Sequence, residues 1–120
     1  MPHCIIDYSA EVAGLIEIDA LIDAVHQGAM ESELFPEYDI KTRALGYPHH
    51  RTGQTRDSFV HVALHLLSGR SDAQKAMLSE CVLGRVEPLL PQVASVSVEI
   101  LDIHRDSYRK RVLASSSPDS

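Results

Sequence analysis

The sequence predicts an α+β fold: two β-α-β units in tandem, giving a four-stranded sheet with two helices on one face. Three observations carry that prediction. Strand-like alternation occurs in four places and is clearest over residues 59–67, where Val60, Val62, Leu64 and Leu66 alternate with Phe59, His61, Ala63 and His65. Two of the intervening stretches carry apolar residues at helical spacing instead. Sliding the first unit by about 57 residues lays the strand that starts at Pro2 onto Phe59, so the pattern repeats.

A chain of 120 residues makes one domain with one modest core. Its 17 acidic and 11 basic residues leave a net charge of -6, which argues against general nucleic-acid binding. Local basic groups remain free to meet a small anion. No apolar stretch approaches the roughly 20 residues of a membrane span, and no basic leader with a cleavage site opens the chain. A cytoplasmic location is therefore expected. Cys4 and Cys81 lie far apart in apolar segments and read as buried free thiols.

In chain order, residues 2–9 read as the first strand. Pro2, Cys4, Ile6 and Tyr8 fall on one face and His3, Ile5 and Asp7 on the other, so the strand belongs near the middle of the sheet. From about Glu17 to Ser32 a helix presents Ile18, Leu21, Ile22, Val25 and Ala29 inward, with Asp19 and Asp23 off the stripe. Residues 38–46 suit a second strand, and 47–57, with Pro48 and Gly53, a loop or short hairpin. After the third strand, Ser71 followed by Gln74 is a capping-box signal. The helix it starts carries Met77, Leu78, Cys81, Val82 and Val86 inward and ends by Pro91. Residues 93–103 give the fourth strand. The domain is thus expected over residues 1–107, with repeats at about 2–46 and 59–103 and a polar tail at 108–120, disordered over 115–120. Right-handed crossovers would put both helices on one sheet face. A bare face bearing Ile, Val and Leu would remain, so oligomerisation is expected.

Proline is unusual as the second residue of a strand-like segment, being confined to strand starts and edges. Initiator methionine is commonly removed before a small residue. The chain would then begin with a secondary amine at the end of a buried strand, a potential general base. A proline that merely starts the chain is the plainer reading. The apolar run after it leaves no flexible leader to hold the terminus in solvent.

Met1-Pro2-His3, Leu34-Phe35-Pro36, Ile40-Lys41-Thr42-Arg43, Phe59-Val60-His61-Val62 and Gly69-Arg70-Ser71, taken as an ordered set, resemble the tautomerase superfamily. They look most like its 5-carboxymethyl-2-hydroxymuconate isomerase branch, over Pro2 to about His104. The resemblance implies a homotrimer and an isomerase interconverting keto and enol groups without cofactor or metal. The implied substrate is an unsaturated 2-hydroxy or 2-oxo di- or tricarboxylate, from aromatic-compound catabolism. It implies Pro2 as the base, and Arg43, Lys41 and Arg70 as ligands of substrate carboxylates, a task that suits arginine's planar fork. Lys41 stands where better-known members carry arginine, a change that is not conservative at a bidentate site. Tyr108-Arg109-Lys110 stands where a phenylalanine–lysine pair is common.

Histidines 61 and 65 are four apart, which on a strand is roughly 13 Å, too far for one metal ion. His49-His50 has no evident third ligand, and His3 is expected to serve packing. Tyr8 and Phe59 are expected in core or interface contacts. Two other functions fit the same residues. One is hydration or dehalogenation of a small unsaturated acid by the same amine. The other is an inactive trimeric binding module in which a retained Met1 makes the proline nitrogen an amide.

Overall fold

The computed structural model describes residues 1–113; the disorder expected of residues 115–120 lies outside the described residues. Six main elements follow one another: β1 (His3–Ser9), α1 (Ile18–Glu31), β2 (Lys41–Tyr47), β3 (Phe59–Leu67), α2 (Asp72–Val86) and β4 (Ser95–Ile103). The sheet order is β2-β1-β3-β4. Within each β-α-β unit the strands are parallel, β1 with β2 and β3 with β4. The units join through an antiparallel β1–β3 pair in which His3 faces His65. The amino ends of β1 and β2 therefore lie at the same end of the sheet as the carboxyl ends of β3 and β4.

Both helices cover one face. Cys4 and Ile6 from β1 and Val60, Val62, Leu64 and Leu66 from β3 are fully buried against Leu21, Val25 and Ala29 of α1 and Leu78, Val82 and Val86 of α2. Gly28 lets the helix backbones touch, since a Cβ there would stand 2.7 Å from the Val82 Cα. Helix α2 opens with the expected capping box. The Ser71 hydroxyl accepts from the Gln74 N–H at 3.1 Å, and the Gln74 side chain accepts from the Ser71 N–H at 2.9 Å. Two long charged side chains, Arg85 and Glu31, bridge the helices at 2.7 Å.

Three expectations need correction. The second strand begins at Lys41, because residues after Pro36 first form a 3-10 turn, Glu37–Asp39. The fourth begins at Ser95, after the Leu90 turn accepts the Val93 N–H. The face away from the helices is also more polar than expected. Alternation sends Val60, Val62, Leu64 and Leu66 of β3 toward the helices, leaving Phe59, His61, Ala63, His65 and Leu67 on the open side. Ile5 and Leu45 are joined there by His3, Asp7, Lys41 and Arg43.

Candidate active site

The end of the sheet where β1 and β2 begin gathers the chain's amino group, several lysines and arginines, and a carboxylate. Pro2 is fully buried. Its carbonyl accepts the Lys41 N–H at 3.0 Å, which locks the start of β1 to the start of β2. Met1, only 8% exposed, precedes it, and with Met1 in place the Pro2 nitrogen is an amide and the free amine is that of Met1. That amine donates to the Asp39 carbonyl at 3.0 Å and lies 3.8 Å from the Asp39 Oδ1. Burial, then the positive charge of Lys41, hold its pKa below the ordinary value, against the opposing pull of Asp39. An amine here is thus biased toward its neutral, proton-accepting form.

Lys41 and Arg43 project from β2 on the open face, two residues apart. Lys41 Nζ donates to the Asp39 carbonyl at 3.1 Å. Arg43, paired with Ile5 across the strands, donates from Nη1 to His3 Nδ1 at 3.2 Å. His3 Nε2 meets the Tyr108 hydroxyl at 3.3 Å. Since arginine can only donate, Nδ1 must be the accepting nitrogen, which requires a neutral imidazole. Burial, then Arg43 and Lys41, lower the His3 pKa accordingly. His3, Ile5, Arg43, His65 and Ile103 line a shallow groove on this face.

Arg70 lies on the helix side instead. Gly69, at φ +127, makes the turn that brings it there. Its guanidinium donates to the Leu34 carbonyl at 2.9 Å and sits over the Phe35 ring, 5.2 Å from the centroid. Within one chain, then, Lys41 stands beside the amine, Arg43 lies further along the open face, and Arg70 packs on the other side of the sheet. Tyr8 and Phe59 belong to the opposite end, where Tyr8 packs over Gly46 and Phe59 meets His50 edge-on. His61 binds Ser97 and Glu99 across β4 rather than His65. Among the described residues no cluster of metal-ligating side chains forms, and no helix is long and apolar enough to cross a membrane.

Sequence reasoning missed two participants. Asp39 was read as part of a strand, and its convergence with the amine depends on the 3-10 turn. The pattern assigns no element to residues 104–107 and a polar tail from 108, yet residues 104–110 run back across this end of the sheet. Arg105 clasps the Ser68 carbonyl at 2.7 Å, Tyr108 reaches His3, and Lys110 Nζ lies 3.4 Å from the Asp39 Oδ1. Nothing in the local pattern announces those contacts.

An α+β sheet of this order, with the chain's start at one end, is the fold of the tautomerase superfamily. A 5-carboxymethyl-2-hydroxymuconate isomerase from Deinococcus radiodurans R1 superposes with a TM-score of 0.81 at 20% identity, over 92% of this chain and 88% of that one. A 5-carboxymethyl-2-hydroxymuconate delta-isomerase gives 0.79 at 19%, over 93% and 88%. A fused 4-OT described as a wild-type symmetric trimer gives 0.76 at 18%, over 90% of each chain. No curated protein sequence matches significantly. The profile of the 5-carboxymethyl-2-hydroxymuconate isomerase family matches residues 2–112, so the chain belongs to that family and is an isomerase.

Proposed function

We propose that the protein is a cofactor-free keto–enol tautomerase, with Pro2 as general base and acid once Met1 is removed. Its substrate is an unsaturated 2-hydroxy or 2-oxo di- or tricarboxylate such as 5-carboxymethyl-2-hydroxymuconate. The observation that carries this reading is the setting of the chain's start: a buried proline at the end of a central strand, beside an amine whose proton affinity is lowered by burial and Lys41. A base working near neutral pH needs such a setting.

In the reaction the neutral Pro2 amine takes the proton of a dienol hydroxyl. The O–H electron pair becomes the carbonyl π bond, the conjugated pairs shift along the chain, and a distant carbon takes the proton back from the ammonium. Nothing else is consumed. One group can serve both positions because the bound substrate keeps them in reach. Arg43, Lys41 and Arg70 hold the carboxylates. Arg70 is on the far side of the sheet from the other two, so the reading joins them through a homotrimer, with cations of one chain facing the amine of the next. The open face, bearing half-buried Ile5 and Ile103 and exposed Leu45, is the surface such an assembly would cover.

The test is Pro2→Ala, assayed by ultraviolet absorbance for ketonisation of the dienol, with mass spectrometry of the N-terminus and sedimentation of both proteins. A loss of about 10²-fold or more with an unchanged trimer is expected. Full activity in the variant would sink the mechanism.

A further inference from the structure

We propose that Asp39 is a positioning residue for the chain's amino group, and that Lys110, on the segment returning from β4, competes with that group for the Asp39 carboxylate. This deepens the reading above and rests on it.

The geometry is a clamp with two acceptor oxygens. The Asp39 carbonyl takes the Met1 amine at 3.0 Å and Lys41 Nζ at 3.1 Å. The Asp39 Oδ1 lies 3.8 Å from the same amine and 3.4 Å from Lys110 Nζ. Each oxygen thus faces the amine and one lysine. The carboxylate is 28% exposed, so these charges are partly shielded from water. Removing Met1 moves the amine nitrogen back by one residue, at most about 3.8 Å. The Lys41 N–H holds the Pro2 carbonyl at 3.0 Å, two residues beyond Asp39, so we place the new amine within charge range of Asp39.

The remaining ionisable groups around the amine do not replace Asp39. Lys41 and Lys110 are cations and oppose its protonation, as Asp39 favours it. The Cys4 thiol is pushed up to about 11 by burial and is neutral at working pH. His3 is turned to Arg43 and Tyr108. Glu37, on the same turn as Asp39, is engaged by His26 at 2.7 Å. Asp39 is therefore the carboxylate that aims the amine and steadies its protonated form, and Lys110 offsets that effect. The segment carrying Lys110 is fastened at Ser68 and His3 as well, so its docking couples to base strength.

The experiment compares Asp39→Asn and Lys110→Gln with the wild-type full-length enzyme. Two readouts are used: the pH profile of kcat/KM for dienol ketonisation, and ¹⁵N NMR titration of the amino terminus, which follows whichever residue begins the chain. Asp39→Asn should move the acidic limb and the NMR midpoint to lower pH. Lys110→Gln should move both upward. At a fixed pH on the acidic limb this is a rise and a fall of about two- to fivefold, the scale of unit charges roughly 4–8 Å apart in largely aqueous surroundings. A carboxylate that only braced the turn would lower activity without moving either midpoint. Unmoved midpoints in both variants, or shifts of the same sign, overturn the proposal even if Pro2→Ala is inactive. Lys110 is exposed and leaves the core intact, so its variant tests the idea should Asp39→Asn fold poorly.

Discussion

The contact at Gly28 sets the spacing of the two helices and makes a quantitative prediction. A Cβ added there meets the Val82 Cα at 2.7 Å, the Cys81 carbonyl oxygen at 3.0 Å and the Val82 nitrogen at 3.1 Å. These are backbone atoms and cannot rotate away. Carbon atoms at rest stand about 3.5–4.0 Å apart, so Gly28→Ala must push the helices apart by roughly 1 Å. Overpacking of this kind costs about 1–3 kcal/mol. The better helix propensity of alanine returns about 1 kcal/mol, for a net loss of up to about 2 kcal/mol. Gly84→Ala is the control. It lies inside α2, exposed, with nothing within 4 Å of its added Cβ, and should gain about 0.5–1 kcal/mol. Urea unfolding followed by circular dichroism at one protein concentration should lower the midpoint for the first variant and raise it for the second. A Gly28→Ala protein as stable as Gly84→Ala would refute the backbone contact between the helices.

Ser71→Ala removes the hydroxyl that caps α2 and should cost about 1 kcal/mol in the same assay, with Ser71→Asp restoring most of it. His3 supplies a pH signature. Its folded pKa is depressed, so it binds a proton more readily unfolded, and its contribution is lost as pH falls from about 6.5 through the folded value. Against His3→Gln, the wild type should therefore lose more stability between pH 8 and pH 5; equal losses would remove His3 as the cause.

Several features were legible in the residues alone because their physics is local. Alternation of valine and leucine in β3 marks both the strand and the face it buries, and the Ser71–Gln74 pair marks the start of α2 within one turn. The repeat and the crossover rule then predict both helices on one face. The candidate cations Lys41, Arg43 and Arg70 came from an ordered set of motifs, not from periodicity. Their separation onto two sides of the sheet follows from strand alternation for the first two and from the Gly69 turn for the third.

What required the tertiary structure depends on contacts between residues far apart in sequence. The polarity of the open face emerges only when four strands are set in register, since each strand's minority face looks minor by itself. The 3-10 turn at Glu37–Asp39 brings a carboxylate to the chain's amine, 38 positions away. Lys110 reaches the same carboxylate from 71 positions away, after the chain has turned back at β4. By itself the sequence determined the strands, the helices and a proline at the head of a central strand. Folding alone decided which charges that head would meet, because the energy of a charge depends on neighbours in space and on the water they displace.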